Sequence, residues 1–289
     1  MSVWALFIAL VSSSALADAA LPKAECPLHI VVAAAKDVEA QFRDGAQIIP
    51  YTVIPVTPAS LLAAHWTGYL PDRGGIWFLP MERGIVPLKG QKLSANLRAN
   101  LRDLFIKHPN MRVTFNHSPS RVLDECASMI RESDVWLVPE VVHGYEQLAR
   151  LGIVFSAELW DGDHLVAGNI GLVSGAHVQG ATKFRDMKHP LSDGGGRLLD
   201  EAERVYLAGR GIETLDVEVP NVVGKPMKPG VQSQPIIYFL QWRDTQTTPL
   251  LPVFEGSKPG EALPAVDYDF RAIFHQMRKT QNYDYPWPK

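Results

Sequence analysis

The spacing of apolar and polar residues predicts a chain in which helices and strands are interleaved. Apolar residues recur at helical spacing in several segments that end at Gly or Pro, as amphipathic helices do. The first segment has Thr57 or Ser60 placed to cap the helix, and Gly68 with Pro71 to stop it. The predicted helices are TPASLLAAHWTGYLP, SANLRANLRDLFIKHP, SRVLDECASMIRES, PEVVHGYEQLARLG, GGGRLLDEAERVYLAGRG and DYDFRAIFHQMRK. Their predicted buried stripes include Leu97, Leu101, Leu104 and Phe105 in the second helix, and Val122, Leu123, Cys126 and Ile130 in the third.

Runs of alternating or β-branched residues between these helices predict strands. HIVVAAA, MRVTFN and IETLDVEVPN are single runs, and GGIWFLPMERGIVPL has the pattern strand, turn, strand. The longest signal is FSAELWDGDHLVAGNIGLVSG, residues 155–175, in which two runs flank a turn at Asp161-Gly162. Helices around a central antiparallel hairpin are typical of an α+β fold with a mixed, mainly antiparallel sheet.

The chain divides into a leader and three further segments. Residues 1–17 have an apolar stretch and an A-x-A site before Asp18, which is typical of a secretory signal peptide, although no Lys or Arg precedes the stretch. An N-terminal helix packed on the domain, or an organelle-targeting leader, is the alternative. We predict an N-terminal extension with a small α/β subdomain at 18–107, a main domain at 108–224 and a Pro-rich extension packed on it at 225–289.

Charge and cysteine content limit the partners and the compartment. A net charge of -3 over 289 residues provides no global basic field, so any contact with nucleic acid must be local. If the leader is real the protein is exported, and Cys26 and Cys126 are then candidates for a disulfide. If it is not, the protein is cytoplasmic. An exposed Cys26 and a buried, free Cys126 is an equally good interpretation.

Two carboxylates in TLDVEV are the first candidates for chemistry. Alternation places Asp216 and Glu218 on one face of a strand, with Leu215, Val217 and Val219 on the other. Carboxylates about 7 Å apart on a buried strand repel each other, so one holds its proton more tightly unless a cation or donor lies between them. A carboxylate whose pKa is raised in this way is suited to act as a general base. A strand whose polar face meets solvent has the same pattern.

Glu158 is a third candidate, on the first strand of the long hairpin. It shares a face with Val154, Ser156 and Trp160, so its carboxylate needs a partner among apolar neighbours. A salt bridge on an edge strand explains it equally well.

The sequence lacks the motifs of metal sites, serine nucleophiles and nucleotide-binding loops. The nine histidines are scattered, with no H-E-x-x-H and no C-x-x-C, so no metal site is predicted. There is no G-x-S-x-G, and the three glycines before the fifth helix lack nucleotide-binding spacing.

Five motifs in order resemble those of leucyl/phenylalanyl-tRNA protein transferases over roughly residues 60 to 224. SLLAAHWTGYLP resembles L-L-x-A-Y-x-x-G-I-F-P, and GGIWFLPMERGIVPL resembles W-W-S-P-x-x-R. RVTFNHSPSRVLDECAS resembles R-V-T-x-(N/D) followed by G-C-A. The stretch from VWLVPE through the hairpin resembles T-W-I, Y-x-x-L-H, H-S-(V/I)-E-V-W and L-V-G-G-x-Y-G, and TLDVEV resembles D-C-Q.

The resemblance implies a GNAT-type acyltransferase fold and transfer of Leu or Phe from the tRNA 3′ end to a protein N-terminal amine, an N-degron type of modification. Aminoacyl-tRNA is then the co-substrate, an acceptor N-terminus is the partner, and no cofactor or metal is implied. A monomer is expected, with no membrane contact after leader cleavage. By resemblance Glu218 is the base, Asp216 its electrostatic orienter, and Glu158 the holder of the incoming amine. The implied substrate-binding residues are Trp77, Trp136, Ser156, Asn169, Gly180, Phe184 and Ser192.

Departures from the family motifs leave the donor open. G-E-S-M-F becomes GATKF, so Ala181 and Lys183 replace Glu and Met, and A-S-K becomes LSDGGG. Gln of D-C-Q becomes Glu218, a stronger base without an amide donor. The alternative function is an exported GNAT-fold acyltransferase or ligand-binding protein that does not use tRNA. A CoA-dependent acyltransferase is a third option, and the sequence lacks the R/Q-x-x-G-x-G/A loop that would bind the CoA pyrophosphate.

Overall fold

The structure is a computed structural model that describes residues 25–42, 51–72, 75–129, 136–218, 230–245 and 258–287, with the backbone alone at 241–245. The predicted leader at 1–17, Ile130 of the third helix and Val219 of the last predicted strand lie outside these residues. Within them, no helix is both long enough and apolar enough to cross a bilayer.

The described strands form two sheets. They are β1 (Tyr51–Val53), β2 (Leu70–Pro71), β3 (Ile76–Phe78), β4 (Glu82–Pro87), β5 (Met111–Phe115), β6 (Val154–Asp161), β7 (His164–Ser174), β8 (His177–Arg185), β9 (Thr214–Asp216), β10 (Gln232–Pro235) and β11 (Val266–Tyr268). The large sheet has the order β10, β4, β9, β8, β7, β6, β5, β11, and the small one has the order β1, β3, β2. In the large sheet β8 and β9 are parallel, and the other neighbours are antiparallel.

Helices cover both faces of the large sheet. Those described are α1 (Leu28–Phe42), α2 (Pro58–Thr67), α3 (Ala95–Lys107), α4 (Pro119–Met129), α5 (Pro139–Arg150), α6 (Ser192–Gly209), α7 (Ile236–Thr245) and α8 (Phe270–Thr280). Helices α3, α6 and α8 enclose one apolar core, and α1, α2, α4, α5 and α7 enclose the other. We call the two sides the α6 face and the α5 face. The predicted α+β class with a mixed, mainly antiparallel sheet is confirmed.

Local signals in the sequence place most helix ends correctly. Thr57 and Ser60 form a capping box, in which the Thr57 hydroxyl accepts from the Ser60 amide at 3.0 Å and the Ser60 hydroxyl accepts from the Thr57 amide at 2.8 Å. Helix α2 stops at Gly68, whose φ of 82° suits a residue without Cβ. Pro139 occupies the first turn of α5.

The prediction of a strand at HIVVAAA is wrong, because these residues lie in α1. Val31, Ala35 and Phe42 are its buried residues, and their spacing of four and seven is helical. A short apolar run with β-branched residues has the same composition in a buried strand and in a buried helix turn, so periodicity over seven residues does not separate them.

The strand predicted at IETLDVEVPN is shorter than expected. β9 ends at Asp216, and Glu218 has a φ of 64°, in the left-handed region. The alternation that was predicted to place Asp216 and Glu218 on one face therefore stops between them. Glu218 instead returns toward Asp216 through its own amide, which donates to Asp216 Oδ1 at 2.6 Å.

The large sheet takes strands from every predicted segment after the leader. β4 comes from 18–107, β5 to β9 from 108–224, and β10 and β11 from 225–289. β10 pairs with β4 at one edge and β11 pairs with β5 at the other. The C-terminal extension therefore covers both edges of the sheet, while the predicted domain boundaries stay predictions.

The two cysteines are free, with Cys26 exposed and Cys126 buried in the α5-face core. Burial raises the pKa of the Cys126 thiol to about 12, so this side chain acts as a small apolar group.

The contact between Gly152 and the C-terminal extension yields a stability prediction. Gly152 has a φ of 75°, and a Cβ there would lie 2.3 Å from the Glu261 carbonyl oxygen. Gly90 has a φ of 77°, and a Cβ there would have no atom within 4 Å, so it is a matched control. We expect Gly90→Ala to lower the free energy of unfolding by about 1–2 kcal/mol through backbone strain alone. Gly152→Ala should lower it by about 1–3 kcal/mol more, because backbone must move.

Chemical denaturation of the two variants and the wild type measures both losses. Equal losses in the two variants would show that the extension does not press on Gly152.

Candidate active site

A buried ion pair joins β4 to β9 on the α5 face. Arg83 Nη2 and Nε lie 2.6 and 2.8 Å from Asp216 Oδ2, and both side chains are fully buried. The pairing of Ile85 with Asp216 across the two strands brings the charges together. A guanidinium held this way keeps a fixed positive charge in a site without bulk water.

Two further elements enclose the Arg83 guanidinium. Its Nη1 donates to the Gly68 carbonyl oxygen at the end of α2, at 3.1 Å. The Phe239 ring of α7 lies 5.5 Å from the guanidinium carbon, within cation–π range. Arg83 therefore ties the sheet to α2 and α7.

Glu218 is the carboxylate of this site that meets solvent. It is half-buried, and its left-handed backbone is held by the Asp216 carboxylate and by its own carbonyl, which accepts from Gly84 N at 2.7 Å. A non-glycine residue in this region is strained, and such strain clusters at functional sites. Burial raises the pKa of Glu218 to about 7, while Arg83 and a hydrogen bond from Gln179 oppose the rise.

Two neutral histidines lie behind Glu218. His65 Nδ1 is 2.8 Å from Gln179 Oε1, and Gln179 Nε2 donates to Glu218 Oε1 at 3.1 Å. His177 Nδ1 is 2.8 Å from Thr214 Oγ1, and its ring stacks on that of His65 at 6.1 Å. Burial lowers the pKa of His65 to about 4 and that of His177 well below its usual range.

The arrangement is suited to accepting a proton at neutral pH. A carboxyl with a pKa near the working pH combines a useful ionised fraction with a useful proton affinity. Burial raises the pKa of Asp216 as well, but Arg83 contacts that carboxylate at 2.6 Å and favours its ionised form, so we assign proton exchange to Glu218. Among the residues that the structure describes, no group of three or more His, Cys, Asp or Glu is arranged to hold a metal ion.

The structure does not bring Glu158 into this cluster. Its carboxylate accepts from Thr114 Oγ1 at 2.6 Å, Ser156 Oγ at 2.5 Å and the Ser118 amide at 3.2 Å. β7 and β8 lie between β6 and β9, which separates Glu158 from Asp216 by about 14 Å or more at the usual strand spacing. These contacts make Glu158 a brace between β5, β6 and the start of α4. Its role in holding an amine stays a prediction.

Asn169 and Ser192 lie on the other side of the sheet. Asn169 Nδ2 donates to Glu203 Oε2 of α6 at 2.6 Å, and Ser192 begins α6 itself. Lys183, which neighbours Asn169 across the strands, pairs with Asp200 of α6 at 2.5 Å. The sheet thus separates these residues from Glu218.

The two predicted tryptophans differ in position. Trp77 is fully buried in the small sheet and donates its indole N–H to the Ile54 carbonyl at 2.8 Å, so its ring is not exposed to a ligand. Trp136 is half-buried and packs edge to face on Tyr145 at 6.5 Å. Burial and then the Glu218 charge raise the pKa of Tyr145.

The remaining predicted residues are small or buried. A Cβ at Gly180 would lie 3.5 Å from the Asp216 carbonyl oxygen, so Gly180 borders the cluster. Phe184 packs under α4 near Gly168, and Ser156 is bonded to Glu158.

Sequence reasoning missed most partners of the two carboxylates, namely Arg83, His65, His177, Gln179, Tyr145 and Phe239. Three of them carried a signal. Arg83 ends the W-W-S-P-x-x-R motif, Tyr145 starts the Y-x-x-L-H motif, and His65 stands at the Tyr of L-L-x-A-Y-x-x-G. Gln179 and His177 fall on apolar runs with no motif of their own.

Sequence comparisons with known proteins agree on one family. A family profile described as leucyl/phenylalanyl-tRNA protein transferase matches residues 85–193. The protein of that name from Rhodospirillum rubrum is 33% identical over 166 residues, which cover 51% of this chain and 76% of that protein. The one from Tolumonas auensis is 30% identical over 191 residues, covering 64% of this chain and 76% of that protein. A solved structure of a conserved Bacteroides thetaiotaomicron protein of unknown function gives a TM-score of 0.38 at 13% identity, over 57% of this chain and 60% of that one.

The Arg83–Asp216 pair should behave as one thermodynamic unit. Arg83→Met and Asp216→Asn each leave a buried charge unpaired, so each should lower the free energy of unfolding by about 3–5 kcal/mol. The double variant removes both charges, and its loss should be smaller than the sum by about 2 kcal/mol. Denaturant unfolding of the four proteins measures the coupling. Asp103→Asn, in an exposed ion pair with Arg102 at 3.3 Å, is the control and should change stability by less than about 0.5 kcal/mol.

Strictly additive losses at positions 83 and 216 would contradict the ion pair.

Glu218 should lower stability at alkaline pH. Its pKa is raised from 4.5 to about 7, so the folded protein binds this proton more tightly than the unfolded chain does. The free energy of unfolding therefore falls as pH rises from 4.5 through about 7. The free energy of unfolding of Glu218→Gln, relative to that of wild type, should be about 1–3 kcal/mol higher at pH 8 than at pH 5. This range is discounted for the partial exposure of the side chain.

Urea unfolding at pH 5 and pH 8 measures the gain. Glu213→Gln, at an exposed position just before β9, is the matched control and should show no pH-dependent gain. A gain of the same size at both pH values would argue against a raised pKa.

Proposed function

The chain belongs to the leucyl/phenylalanyl-tRNA protein transferase family, and from this premise we propose that it transfers an amino acid of the Leu or Phe type from aminoacyl-tRNA to the N-terminal amine of an acceptor protein or peptide. The observation that carries the proposal is Glu218, a half-buried carboxylate whose pKa is raised to about 7. Transfer to an amine requires a group that accepts a proton at neutral pH.

In the proposed reaction Glu218 acts on the attacking amine. The neutral amine nitrogen forms a bond to the ester carbonyl carbon, and the bond from that carbon to the ribose oxygen breaks. The amine proton passes to Glu218, which hands it to the leaving ribose oxygen and so returns to its ionised form. No cofactor takes part in this balance.

Asp216 is the proposed orienter of Glu218. Its Oδ1 accepts from the Glu218 amide at 2.6 Å, while its Oδ2 faces Arg83. One carboxylate thus fixes the backbone of the base and neutralises the nearest cation. A base held within a narrow range of positions loses less entropy in the reaction.

The fold and the compartment follow from the same proposal. We assign the sheet to the GNAT type, with the parallel β8–β9 pair beside the site. The donor occurs where tRNA is charged, so the proposal places the protein in the cytoplasm and not in the exported location that the leader pattern predicts. Its product is an acceptor with a new N-terminal residue of the N-degron kind.

A transfer assay tests the function. Purified protein is incubated with radiolabelled Leu-tRNA or Phe-tRNA and a peptide that starts with Lys or Arg, and label in the peptide is measured. We expect transfer by the wild type with at least one donor. Glu218→Met removes the proton acceptor without installing the Gln of D-C-Q, and it should lower kcat/KM by about 10²–10⁴-fold, the usual loss when a general base is removed.

Glu213→Gln is again the matched control, and we expect it to leave kcat/KM unchanged. No transfer by the wild type with either donor would overturn the proposed function, and full activity of Glu218→Met would remove Glu218 as its base.

A further inference from the structure

Hydrogen-bond chemistry fixes the direction of a chain that runs from Glu218 through Gln179 to His65. An ionised carboxylate only accepts, so Gln179 must present its NH₂ group to Glu218 Oε1, at 3.1 Å. The Gln179 carbonyl oxygen then faces His65 Nδ1, at 2.8 Å. That oxygen only accepts, so His65 must carry its proton on Nδ1.

The other nitrogen of His65 agrees with this assignment. His65 Nε2 is buried and makes no hydrogen bond within the described residues. A neutral ring with its proton on Nδ1 leaves only a lone pair at Nε2. An unsatisfied acceptor is tolerated in a protein interior better than an unsatisfied N–H. The opposite tautomer would bury a bare N–H and would also present two facing acceptors between His65 and Gln179.

We propose that Gln179 and His65 are positioning residues for Glu218, in which His65 locks the orientation of the Gln179 amide so that its NH₂ group stabilises the carboxylate form of the base. The inference rests on the proposed role of Glu218 as proton acceptor, and extends it to two residues that do not touch the reacting atoms. Without His65 the amide is free to turn over. Its oxygen would then face the carboxylate and destabilise it.

The surrounding charges leave Glu218 as the group that responds near neutral pH. Arg83 of β4 and Asp216 of β9 face it as a closed ion pair. His177 of β8 stays neutral, because burial lowers its pKa, and Tyr145 of α5 stays neutral, because burial raises its pKa. His177 and Tyr145 therefore each keep one charge state while Glu218 titrates, and at Asp216 the contact with Arg83 opposes the rise in pKa that burial causes.

The effect of His65 must pass through Gln179, and a double-variant cycle isolates it. The probe is the pKa of Glu218, followed by the ¹³C signal of its labelled carboxyl group between pH 5 and 9. Gln179→Met removes the hydrogen bond while keeping an unbranched side chain of similar length. It should raise the Glu218 pKa by roughly one unit, a tenfold change in proton affinity. His65→Phe keeps a ring of similar shape and should raise it by a smaller amount.

The decisive comparison is His65→Phe in the Gln179→Met background, where we expect no further rise. An equal rise with and without Gln179 would mean that His65 acts through its dipole or packing, and would overturn the proposal. So would an unchanged Glu218 pKa in the His65→Phe variant. Glu218→Gln identifies the carboxyl signal by its loss.

A measurement on the wild type covers the case in which a variant does not fold. The ¹⁵N spectrum of the His65 ring should show the protonated, pyrrole-type nitrogen at Nδ1 from pH 5 to 9, and a proton on Nε2 would contradict the chain. Neither measurement needs catalysis. Failure of amino-acid transfer with the cycle as expected would therefore reject the proposed donor and support the positioning role.

Discussion

The pairing of Arg83 with Asp216 is the constraint on which the rest of the site depends. A buried guanidinium needs a counter-charge and partners for its other N–H groups, and here they come from two different elements. Asp216 supplies the charge, and Gly68 at the end of α2 supplies a carbonyl. The requirement to satisfy one buried cation therefore fixes how α2 lies against the sheet. Arg83 binds Oδ2 of Asp216 and leaves Oδ1 to accept from the Glu218 amide.

This sharing explains why two nearby carboxylates divide their roles. Mutual repulsion predicts that one of them holds its proton more tightly unless a cation intervenes. Arg83 intervenes at Asp216, which it contacts at 2.6 Å. Burial raises the pKa of Glu218 to about 7, although the Arg83 charge and a hydrogen bond from the Gln179 amide oppose the rise. The division follows from which carboxylate the cation touches, and spacing along the chain does not encode that.

The sequence predicts elements with strong local signals, and it misses contacts that depend on strand order. Capping at Thr57 and the Gly68 stop are local chemistry, so α2 is placed correctly. HIVVAAA lacks such signals and is assigned to the wrong element. Glu158 shows the other limit. The motif that contains Glu158 and the motif that contains Asp216 and Glu218 do not reveal the two strands that separate these residues in the sheet. Arg83 in a strand has the pattern of an exposed residue until β9 is placed beside it.

The departures from the family motifs also take on a physical meaning once the strands are in place. The motif G-E-S-M-F has a carboxylate where this chain has Ala181, and D-C-Q has an amide where it has Glu218. Ala181 belongs to β8 and packs in the α5-face core, two residues from Gln179, and β8 pairs with β9 so that Gln179 lies beside Asp216. One carboxylate is lost and another gained on adjoining stretches of chain, and the amide has a counterpart in Gln179. Across these two segments the chain therefore keeps one carboxylate and one amide, with the amide on β8 and the carboxylate just after β9.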